Sequence, residues 1–540
     1  MQRRHRQLLA SALVATMIAA LGPATQGRAA DPAGAAPAWG ACPAAEPDFP
    51  RDPRMRCARL RVPLDYRSPR GRQITITISR IPAAGPGPRR GILLANPGGP
   101  GAAGLDEPGA LAEALPAAVV ARYDLIGFDP RGVGASTPVT CGLPADIPAD
   151  LLPGYPAPGG SIARNIDFAR RTARACAAHS GGLLPHITTA NTARDMDRIR
   201  AALGERSLSY LGYSSGTYLG AVYATLFPHR GDRIVLDSAV DPALVWYGMW
   251  RTWGQAVAAR LPDFTAWAAA RDDTYHLGSS PAAVERTYHR LARALDREPR
   301  EVPDGEPFTG NMFREQTRFY LYSDFFFPGL AEIWRFLADP GAEPPALATG
   351  TAAAGRAAPA GVPADNHYAA LFAFVCGDAS WPRTPAVYAR NVAADRRAWP
   401  LTAGMPANIW PCAFWEHRPA EPPVKVTANG PRNVLILQNL RDPATSLRSG
   451  TGLRTALGRR AAFVTQDAGD HGVFGVRSGP CVDAIAIAFL TTGALPGRDR
   501  RCPAPPPVDD ADMSSAQAPT LLPAPGGLLG VRAARRTSAR

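Results

Sequence analysis

The pentapeptide GYSSG at 212–216 constrains the fold of this 540-residue chain more than any other feature. It fits G-x-S-x-G, a sharp turn that joins a strand to a helix in serine hydrolases. Residues 207–211 have the composition of a short buried strand, and residues 217–227 that of a helix. Because such a turn leaves little room two residues on either side of the serine, glycine is needed there. We therefore expect the Ser214 hydroxyl to be exposed at the carboxyl end of a sheet. The alternative is a glycine-serine turn without chemistry, since chance matches arise in a chain with 52 glycines.

Segments with strand character alternate with segments of helix character along the chain. Residues 73–81 alternate between isoleucine and polar residues, the pattern of a strand with one buried face. Residues 91–96 and 123–129 are continuous apolar runs, typical of strands buried on both faces of a parallel sheet. Further strands are predicted at 233–236, 433–438 and 461–465, and helices at 162–179 and 193–203. This alternation predicts an α/β fold with a mostly parallel sheet flanked by helices.

The strand pattern stops between about residues 243 and 425, where helix formers and aromatic residues predominate. We interpret this stretch as a mostly helical cap inserted after the strand that ends near Leu236. Its aromatic residues, among them Trp246, Trp250 and Trp253, are expected mainly to form the cap's core, with a substrate wall as the alternative. The predicted segments are a signal peptide (1–30), a first core part (31–242), the cap (243–425), a second core part (426–502) and a disordered tail (503–540). Within the first core part, the proline-rich residues 31–70 are expected to wrap the surface.

The N-terminus has the three parts of a secretory signal. A basic stretch at 3–6 precedes an apolar stretch at 8–21, which is too short to cross a membrane comfortably. The small residues Gly27 and Ala29 indicate cleavage near Ala29 or Ala30. No later stretch is long and apolar enough to span a membrane. We therefore expect a secreted protein, with retention at the cell envelope as the alternative.

The cysteine content agrees with export. Eight cysteines, an even number, suggest four disulfides in a secreted chain. No C-x-x-C pair is present, which argues against a zinc or thioredoxin-like site. Although eight cysteines allow about 105 connectivities, their spacing forms four local pairs. We predict nearest-neighbour pairing: 42–57, 141–176, 376–412 and 481–502.

The formal charge of +13 does not indicate nucleic-acid binding. Four arginines lie among the first 28 residues and four among residues 532–540. The body of the chain has no dense basic stripe with interleaved aromatic residues. A solvated basic surface accounts for the charge, and no nucleic-acid partner is expected.

The order of residues after the turn narrows the choice of a catalytic base and acid. A serine becomes nucleophilic when a base accepts its proton and an acid orients that base. In hydrolases with this turn the chain order is serine, then aspartate or glutamate, then histidine. His471 is the only histidine after the strand predicted at 433–438. Asp442 follows that strand directly and is the only acid between Glu421 and Asp467.

We therefore predict a triad in which Ser214 attacks, His471 transfers the proton and Asp442 orients His471. Considered alone, Asp442 is more typical of a helix cap or turn, and His471 of an exposed loop. Their joint occurrence at the ends of the right strands, in the right order, favours the triad. Asp237 and Asp241, which follow the preceding strand, are the alternative acids.

Two backbone N–H groups are needed to stabilise the oxyanion that forms during attack. One is expected from Ser215, the residue after the nucleophile. The other should follow the strand at 91–96, where the chain is rich in glycine. Pro100 has no N–H, so we predict Gly99 as the second donor in preference to Gly98. The alternative is a glycine turn with a structural role only.

Five motifs that occur in one order resemble the secreted tripeptidyl aminopeptidases of actinobacteria, which are related to the proline iminopeptidases. The motifs are NPGGPG (96–101), FDPRGVG (128–134), GYSSG (212–216), LDSAVDP (236–242) and RDP (441–443). The resemblance extends from about residue 40 to Cys502. It implies an α/β-hydrolase fold and the release of short peptides from free N-termini. It implies no metal and no organic cofactor, and we expect a monomer.

Two residues depart from the pattern of this family. Ser215 stands where the family usually has tyrosine, and Asp470 precedes His471 where a glycine-like residue is usual. A carboxylate at position 470 would raise the pKa of the imidazole if the two groups were close. Both departures bear on substrate preference rather than on the class of chemistry.

Several polar residues are expected in supporting roles. Asp129 and Arg131 brace the loop after their strand, and Thr445 is placed to hydrogen-bond the carboxylate of Asp442. An aminopeptidase also needs an acid that binds the substrate ammonium group. The cap offers three candidates, Glu315, Asp324 and Glu332. Each is more typical of an exposed helix surface than of a binding site.

Together these features predict a secreted serine exopeptidase that acts on peptides with a free N-terminus. An esterase or other acyl hydrolase on the same fold is the first alternative, because triad chemistry serves esters equally well. A non-catalytic surface-binding protein that retains the scaffold is the second.

Overall fold

A computed structural model of the protein describes residues 36–44, 51–302, 307–343, 345 and 361–508. Nine strands form its sheet: β1 (Arg56–Pro63), β2 (Gln73–Ile81), β3 (Gly91–Asn96), β4 (Tyr123–Phe128), β5 (Leu208–Tyr213), β6 (Gly231–Asp237), β7 (Val434–Asn439), β8 (Ala461–Gln466) and β9 (Arg500–Cys502). Their order across the sheet is β1-β2-β4-β3-β5-β6-β7-β8-β9. The predicted signal peptide and residues 509–540 of the predicted tail lie outside the described residues.

The sheet is mostly parallel. β1 pairs antiparallel with β2, and β2 pairs antiparallel with β4, whereas every other neighbouring pair is parallel. Every residue of β3, β4, β5 and β7 is buried, which explains their continuous apolar sequences. Side chains of β3 alternate between two cores: Ile92 and Leu94 face one, Leu93 and Ala95 the other. This arrangement confirms the predicted α/β-hydrolase fold.

Helices cover both faces of the sheet and fill the long segment between β6 and β7. The described α-helices are α1 (Glu107–Ala114), α2 (Ala117–Val120), α3 (Ala163–Ser180), α4 (Thr189–Ala202), α5 (Ser215–Leu226), α6 (Tyr247–Trp250), α7 (Trp253–Ala269), α8 (Asp272–Tyr275), α9 (Pro281–Arg297), α10 (Gly310–Tyr320), α11 (Phe327–Ala338), α12 (Asn366–Asp378), α13 (Pro385–Ala398), α14 (Leu447–Leu457) and α15 (Pro480–Thr492). Helices α6 to α13 all lie within residues 243–425. The division of the chain into core and cap remains a prediction, and below the term cap denotes residues 243–425.

The expectation that residues 31–70 wrap the surface is wrong for β1. This strand forms the edge of the sheet and pairs with β2 along its whole length, from Arg56 opposite Arg80 to Pro63 opposite Gln73. Its arginines are exposed, whereas Leu60 and Val62 are buried. The alternation of arginine with apolar residues is a period-two pattern that the neighbouring prolines obscured.

Four disulfides confirm the predicted nearest-neighbour pairing: Cys42–Cys57, Cys141–Cys176, Cys376–Cys412 and Cys481–Cys502. The first ties the N-terminal segment to β1, and the last ties α15 to β9. Loops of this length lower the entropy of the unfolded chain by an amount worth about 3–4 kcal/mol each. Within the described ranges, no helix combines the length and apolar character required to cross a bilayer.

Candidate active site

The turn between β5 and α5 has the geometry of a nucleophile elbow. Ser214 adopts φ 54° and ψ −124°, a backbone conformation that side-chain-bearing residues rarely occupy. Its N–H donates to the carbonyl of Asp237 at 3.0 Å. A Cβ on Gly212 would lie 2.6 Å from the carbonyl oxygen of Gly216, and one on Gly216 would lie 2.8 Å from that of Asn96. Both flanking positions therefore require glycine, as the motif predicted.

The glycine-rich loop after β3 packs directly against this elbow. Gly98 has φ 99°, and a Cβ there would lie 2.6 Å from the carbonyl oxygen of Tyr213 and 3.0 Å from Cβ of Ser214. The Gly98 N–H already donates to the side-chain oxygen of Asn96 at 3.1 Å. This bond favours Gly99, φ 110°, as the free donor beside the serine.

Gly99, Ser214 and Ser215 line one cavity, which contains about 500 Å³ of space and opens to solvent. Ser215 begins α5, so its N–H lies at the positive end of the helix dipole. The structure thus brings the predicted nucleophile and both predicted oxyanion donors to the same surface.

The predicted acid and base contact each other. Nδ1 of His471 lies 2.9 and 3.0 Å from the two carboxylate oxygens of Asp442. The carboxylate also accepts the backbone N–H groups of Ala444 and Thr445, at 2.8 and 2.7 Å, and the Thr445 hydroxyl at 2.8 Å. Asp442 is 1% exposed, so these partners replace water around its charge. The hydroxyl bond of Thr445 was expected from the sequence.

The alternative acids have other partners. Asp237 accepts the backbone N–H groups of Val473 and Phe474 at 2.9 and 2.8 Å, and burial raises its pKa to about 7. It therefore holds the loop that follows His471. Asp241 accepts a backbone N–H two residues further along the chain at 2.9 Å. Neither carboxylate is hydrogen-bonded to the imidazole in the described part of the chain.

Tyr322 of the cap contacts the candidate base. The N–H of His471 donates to the carbonyl of Tyr322 at 2.7 Å, and the two rings meet edge to face with centroids 5.1 Å apart. Tyr322 also lines the cavity beside Ser214. Among the described residues the Ser214 hydroxyl is not hydrogen-bonded to His471, and catalytic contacts of this kind often tighten only when substrate binds. The sequence carried no signal for the role of Tyr322.

The carboxylate of Asp470 is hydrogen-bonded to the cap and to Arg477. It accepts the Ser323 hydroxyl at 2.6 Å, the Asp324 N–H at 3.2 Å and a guanidinium N–H of Arg477 at 3.0 Å. Burial raises the pKa of this carboxyl group, and the neighbouring Asp324 carboxylate adds to the effect. The carboxylate therefore fastens the loop that carries His471 to the cap.

A series of alternating charged side chains, called here the charge chain, extends from Asp470. Asp324 pairs with Arg260 and Arg477. Arg260 also pairs with Asp263 at 2.5 Å, and Asp263 pairs with Arg441 at 2.9 Å. Since Arg441 directly precedes the candidate acid, the charge chain links the cap to the loops of both the acid and the base.

None of the three carboxylates considered for ammonium binding lines the cavity. Glu315 pairs with Arg318 at 2.6 Å and accepts the Tyr155 hydroxyl at 3.1 Å. Asp324 belongs to the charge chain described above, and Glu332 is exposed on α11. The described residues contain no cluster of three or more histidine, cysteine or acidic side chains suited to a metal.

Asp129 and Arg131 brace the loop after β4, as predicted. Asp129 accepts the N–H groups of Gly104 and Ala135 at 2.9 and 2.8 Å. Arg131 forms a fully buried ion pair with Asp195 at 2.7 Å.

Comparison with known proteins identifies the family. A family model described as TAP-like protein matches residues 401–502. A tripeptidyl aminopeptidase of Streptomyces coelicolor is 36% identical over 477 residues, covering 86% of this chain and 85% of the relative. The chain belongs to the tripeptidyl aminopeptidase family. Serine protease Hip1 of Mycobacterium tuberculosis is 30% identical, covering 86% of this chain and 90% of the relative. Carboxylesterase B of the same organism is 32% identical, covering 86% and 89%.

Within this tripeptidyl aminopeptidase family member, the matched segment 401–502 carries Asp442 and His471 but not Ser214. The two sequence departures from the family pattern have different surroundings. Ser215 lines the cavity together with Ser214. Asp470 lies behind the base, in contact with the cap.

Proposed function

We propose that the protein is an exported serine exopeptidase that removes short peptides, tripeptides foremost, from the free N-termini of polypeptides. The observation that carries this proposal is the Asp442–His471 hydrogen bond beside a cavity that contains an elbow serine. A relative named tripeptidyl aminopeptidase that matches most of the chain supports the substrate class.

In the first step, Oγ of Ser214 attacks the carbonyl carbon of the substrate, and Nε2 of His471 accepts the hydroxyl proton. The carbonyl oxygen becomes an oxyanion, which the N–H groups of Gly99 and Ser215 stabilise. Each such donor is worth about 10²–10³ in rate.

The tetrahedral intermediate then collapses. The bond to the leaving nitrogen breaks, and His471 gives its proton to that nitrogen, so the shortened polypeptide leaves with a free amine. The N-terminal peptide remains bound to Ser214 as an ester. Water attacks this ester with His471 again acting as base, and Ser214 recovers its proton as the peptide leaves with a new carboxylate.

Asp442 orients the imidazole throughout this cycle. Its contact with Nδ1 fixes the tautomer in which Nε2 accepts the proton of the serine. Its negative charge stabilises the imidazolium that forms during attack.

A fluorogenic tripeptide amide tests the proposal in its free and N-acetylated forms, with Ser214→Ala as the control variant. We expect hydrolysis of the free form only, and none by Ser214→Ala. Equal cleavage of both forms would refute recognition of the N-terminus. Undiminished cleavage by Ser214→Ala would refute the role of the serine.

An esterase is the second candidate, because one relative is named carboxylesterase B. Parallel assays with an amide and an ester of the same acyl group separate the two functions. Ester hydrolysis without amide hydrolysis would favour the esterase. Failure of Ser214 to react with a fluorophosphonate would instead favour a non-catalytic binding protein.

Export is the second part of the proposal. Four disulfides are typical of proteins that fold in an oxidising compartment. The proposed signal peptide ends near Ala29 or Ala30. N-terminal sequencing of protein recovered from the culture medium should therefore begin close to Ala30 or Asp31, whereas a chain that begins at Met1 would contradict cleavage. We expect the mature protein to be a monomer, which its mass in solution tests.

A further inference from the structure

The cavity beside Ser214 has an apolar wall. Three tryptophans and a methionine from the start of the cap form this wall: Trp246, Met249, Trp250 and Trp253. Each is at least nine-tenths buried, so their side chains are packed in place rather than free to move aside. The tryptophans therefore serve both as cap core and as wall, the two roles that the sequence left open.

The polar atoms of the tryptophans are turned away from the cavity or covered. The indole N–H of Trp246 donates to the carboxylate of Asp378 at 3.0 Å. The indole N–H of Trp253 donates to the carbonyl of Ala444 at 2.9 Å. The indole nitrogen of Trp250 has almost no accessible surface. The rings are therefore left to contact an occupant through carbon atoms.

Two further lining residues, Tyr322 and Met249, also have their polar atoms hydrogen-bonded. The Tyr322 hydroxyl accepts a guanidinium N–H of Arg318 at 3.1 Å. The Met249 sulfur accepts the Ser449 hydroxyl at 3.5 Å. Arg318 lies behind Tyr322 and is neutralised by Glu315. Among the described residues that line the cavity, none carries a charge.

The cavity adjoins the candidate nucleophile and both oxyanion donors. Its walls include Gly99 and Ser215, the donors that hold the attacked carbonyl oxygen. His471 does not line the cavity itself, but Tyr322 and Thr445, which do, contact its imidazole. The attacked carbonyl carbon is bonded to the Cα atom of the acyl residue, so that residue's side chain extends into the space next to Ser214.

We infer that this cavity binds the side chain of the residue after which the chain cuts, and that the substrates are peptides with an uncharged, apolar residue at that position. Leucine, methionine, norleucine and phenylalanine belong to this class, whereas lysine, arginine, aspartate and glutamate do not. The inference rests on the proposed function, since it assigns the acyl residue of an exopeptidase substrate.

The expected selectivity follows from desolvation. A charged side chain in this cavity would lose its water and find no opposite charge on the walls. An apolar side chain of equal length loses little and gains contact with the tryptophan rings. We expect the charged substrate to have a kcat/KM lower by about 100-fold or more.

The test uses free tripeptide coumarin amides that differ only in the third residue. Norleucine and lysine form one pair, because both have an unbranched side chain and differ mainly in the ammonium group. Leucine and aspartate form a second pair of similar shape. We expect the apolar member of each pair to be favoured by about 100-fold in kcat/KM. Equal rates, or a preference for the charged member, would overturn the inference.

Substitutions at Met249 test whether this wall sets the preference. Met249→Glu adds a carboxylate to the wall and should lower the norleucine-to-lysine ratio by about tenfold or more. Met249→Leu is the matched control and should leave the ratio within about threefold of wild type. An unchanged ratio in a folded Met249→Glu would overturn the assignment of this wall.

If Met249→Glu does not fold, Met249→Phe replaces it. The larger ring should lower kcat/KM for norleucine relative to alanine at the third position by about tenfold. No change in that ratio would count against the cavity as the binding site for this side chain.

A separate experiment distinguishes failure of the inference from failure of the proposed function. If no tripeptide amide is cleaved although a fluorophosphonate labels Ser214, the exopeptidase proposal fails. The pocket is then tested with p-nitrophenyl esters of N-acetylnorleucine and N-acetyllysine. A preference of about 100-fold for norleucine supports the pocket, and equal rates overturn it.

Discussion

The substitution Thr445→Val isolates one hydrogen bond of the proposed acid–base pair. The Thr445 hydroxyl donates to Asp442 at 2.8 Å, and valine keeps the β-branched shape while removing this donor. Asp442 retains the N–H groups of Ala444 and residue 445, together with Nδ1 of His471. Because the carboxylate keeps three partners, we expect the fold to survive and the orientation of the imidazole to loosen.

The size of the effect follows from the charge on the acceptor. A hydrogen bond to a charged group contributes about 1.5–3 kcal/mol. Since about 1.4 kcal/mol corresponds to a factor of ten in rate, complete loss of the bond in the transition state lowers kcat/KM by about 10- to 150-fold. This range is an upper bound, because part of the bond energy is lost equally in the ground state.

The assay measures kcat/KM for the free tripeptide amide in wild type, Thr445→Val and Thr445→Ser. Serine restores the hydroxyl, so Thr445→Ser should stay within about threefold of wild type. Thr451→Val is a control at an exposed position of α14, where the hydroxyl donates to the carbonyl of Leu447, and it should match wild type. Full activity in a correctly folded Thr445→Val would refute the reasoning.

Three further perturbations test other parts of the site. Gly98→Ala should abolish fluorophosphonate labelling, because its Cβ would lie 2.6 Å from the carbonyl oxygen of Tyr213; normal labelling would show that the loop and elbow are not in contact as described. Asp237→Asn should flatten the dependence of Tm on pH. Burial raises the folded pKa of Asp237 to about 7, above the value of about 4 in the unfolded chain, so folding favours the protonated carboxyl group. The stability that this group contributes is therefore lost as the pH rises from about 4 through 7. An unchanged pH dependence would argue against a buried, protonatable carboxyl group there. Asp470→Ala should lower kcat by about tenfold or more by releasing the loop of the base from Ser323. Asp470→Asn should recover part of the loss, and equal kcat in all three proteins would show that this tether does not position the base.

The sequence was sufficient for the elbow turn and for selecting Asp442 and His471, which the structure brings into contact. That these two residues form a triad with Ser214 stays a prediction. Glycine spacing set the turn around Ser214, and the chain order left one histidine after β7. The apolar runs of β3 and β4 likewise identified central strands, since burial on both faces leaves no polar positions. β1 escaped prediction because its arginines occupy the exposed face of an edge strand in a proline-rich stretch.

The contacts of the cap with the base could not be predicted in the same way. Tyr322 meets His471 through a backbone carbonyl, a contact that carries no residue signature. An effect of Asp470 on the pKa of the imidazole depended on the two groups being close, which the sequence could not show. Its carboxylate accepts hydrogen bonds from Ser323 and Arg477, because the buried charge needs partners. Such contacts depend on how distant segments pack rather than on local pattern.

The most direct test of the central claim is product analysis by mass spectrometry. A ten-residue peptide with a free N-terminus and leucine at the third position is incubated with the wild-type protein and with Ser214→Ala. We predict that the wild type releases the N-terminal tripeptide and the remaining seven residues, and that Ser214→Ala releases neither. A first cut of the intact ten-residue peptide at an internal or C-terminal bond, or equal product from Ser214→Ala, would contradict a serine exopeptidase that acts through Ser214; later removal of a second tripeptide from the seven-residue product would not.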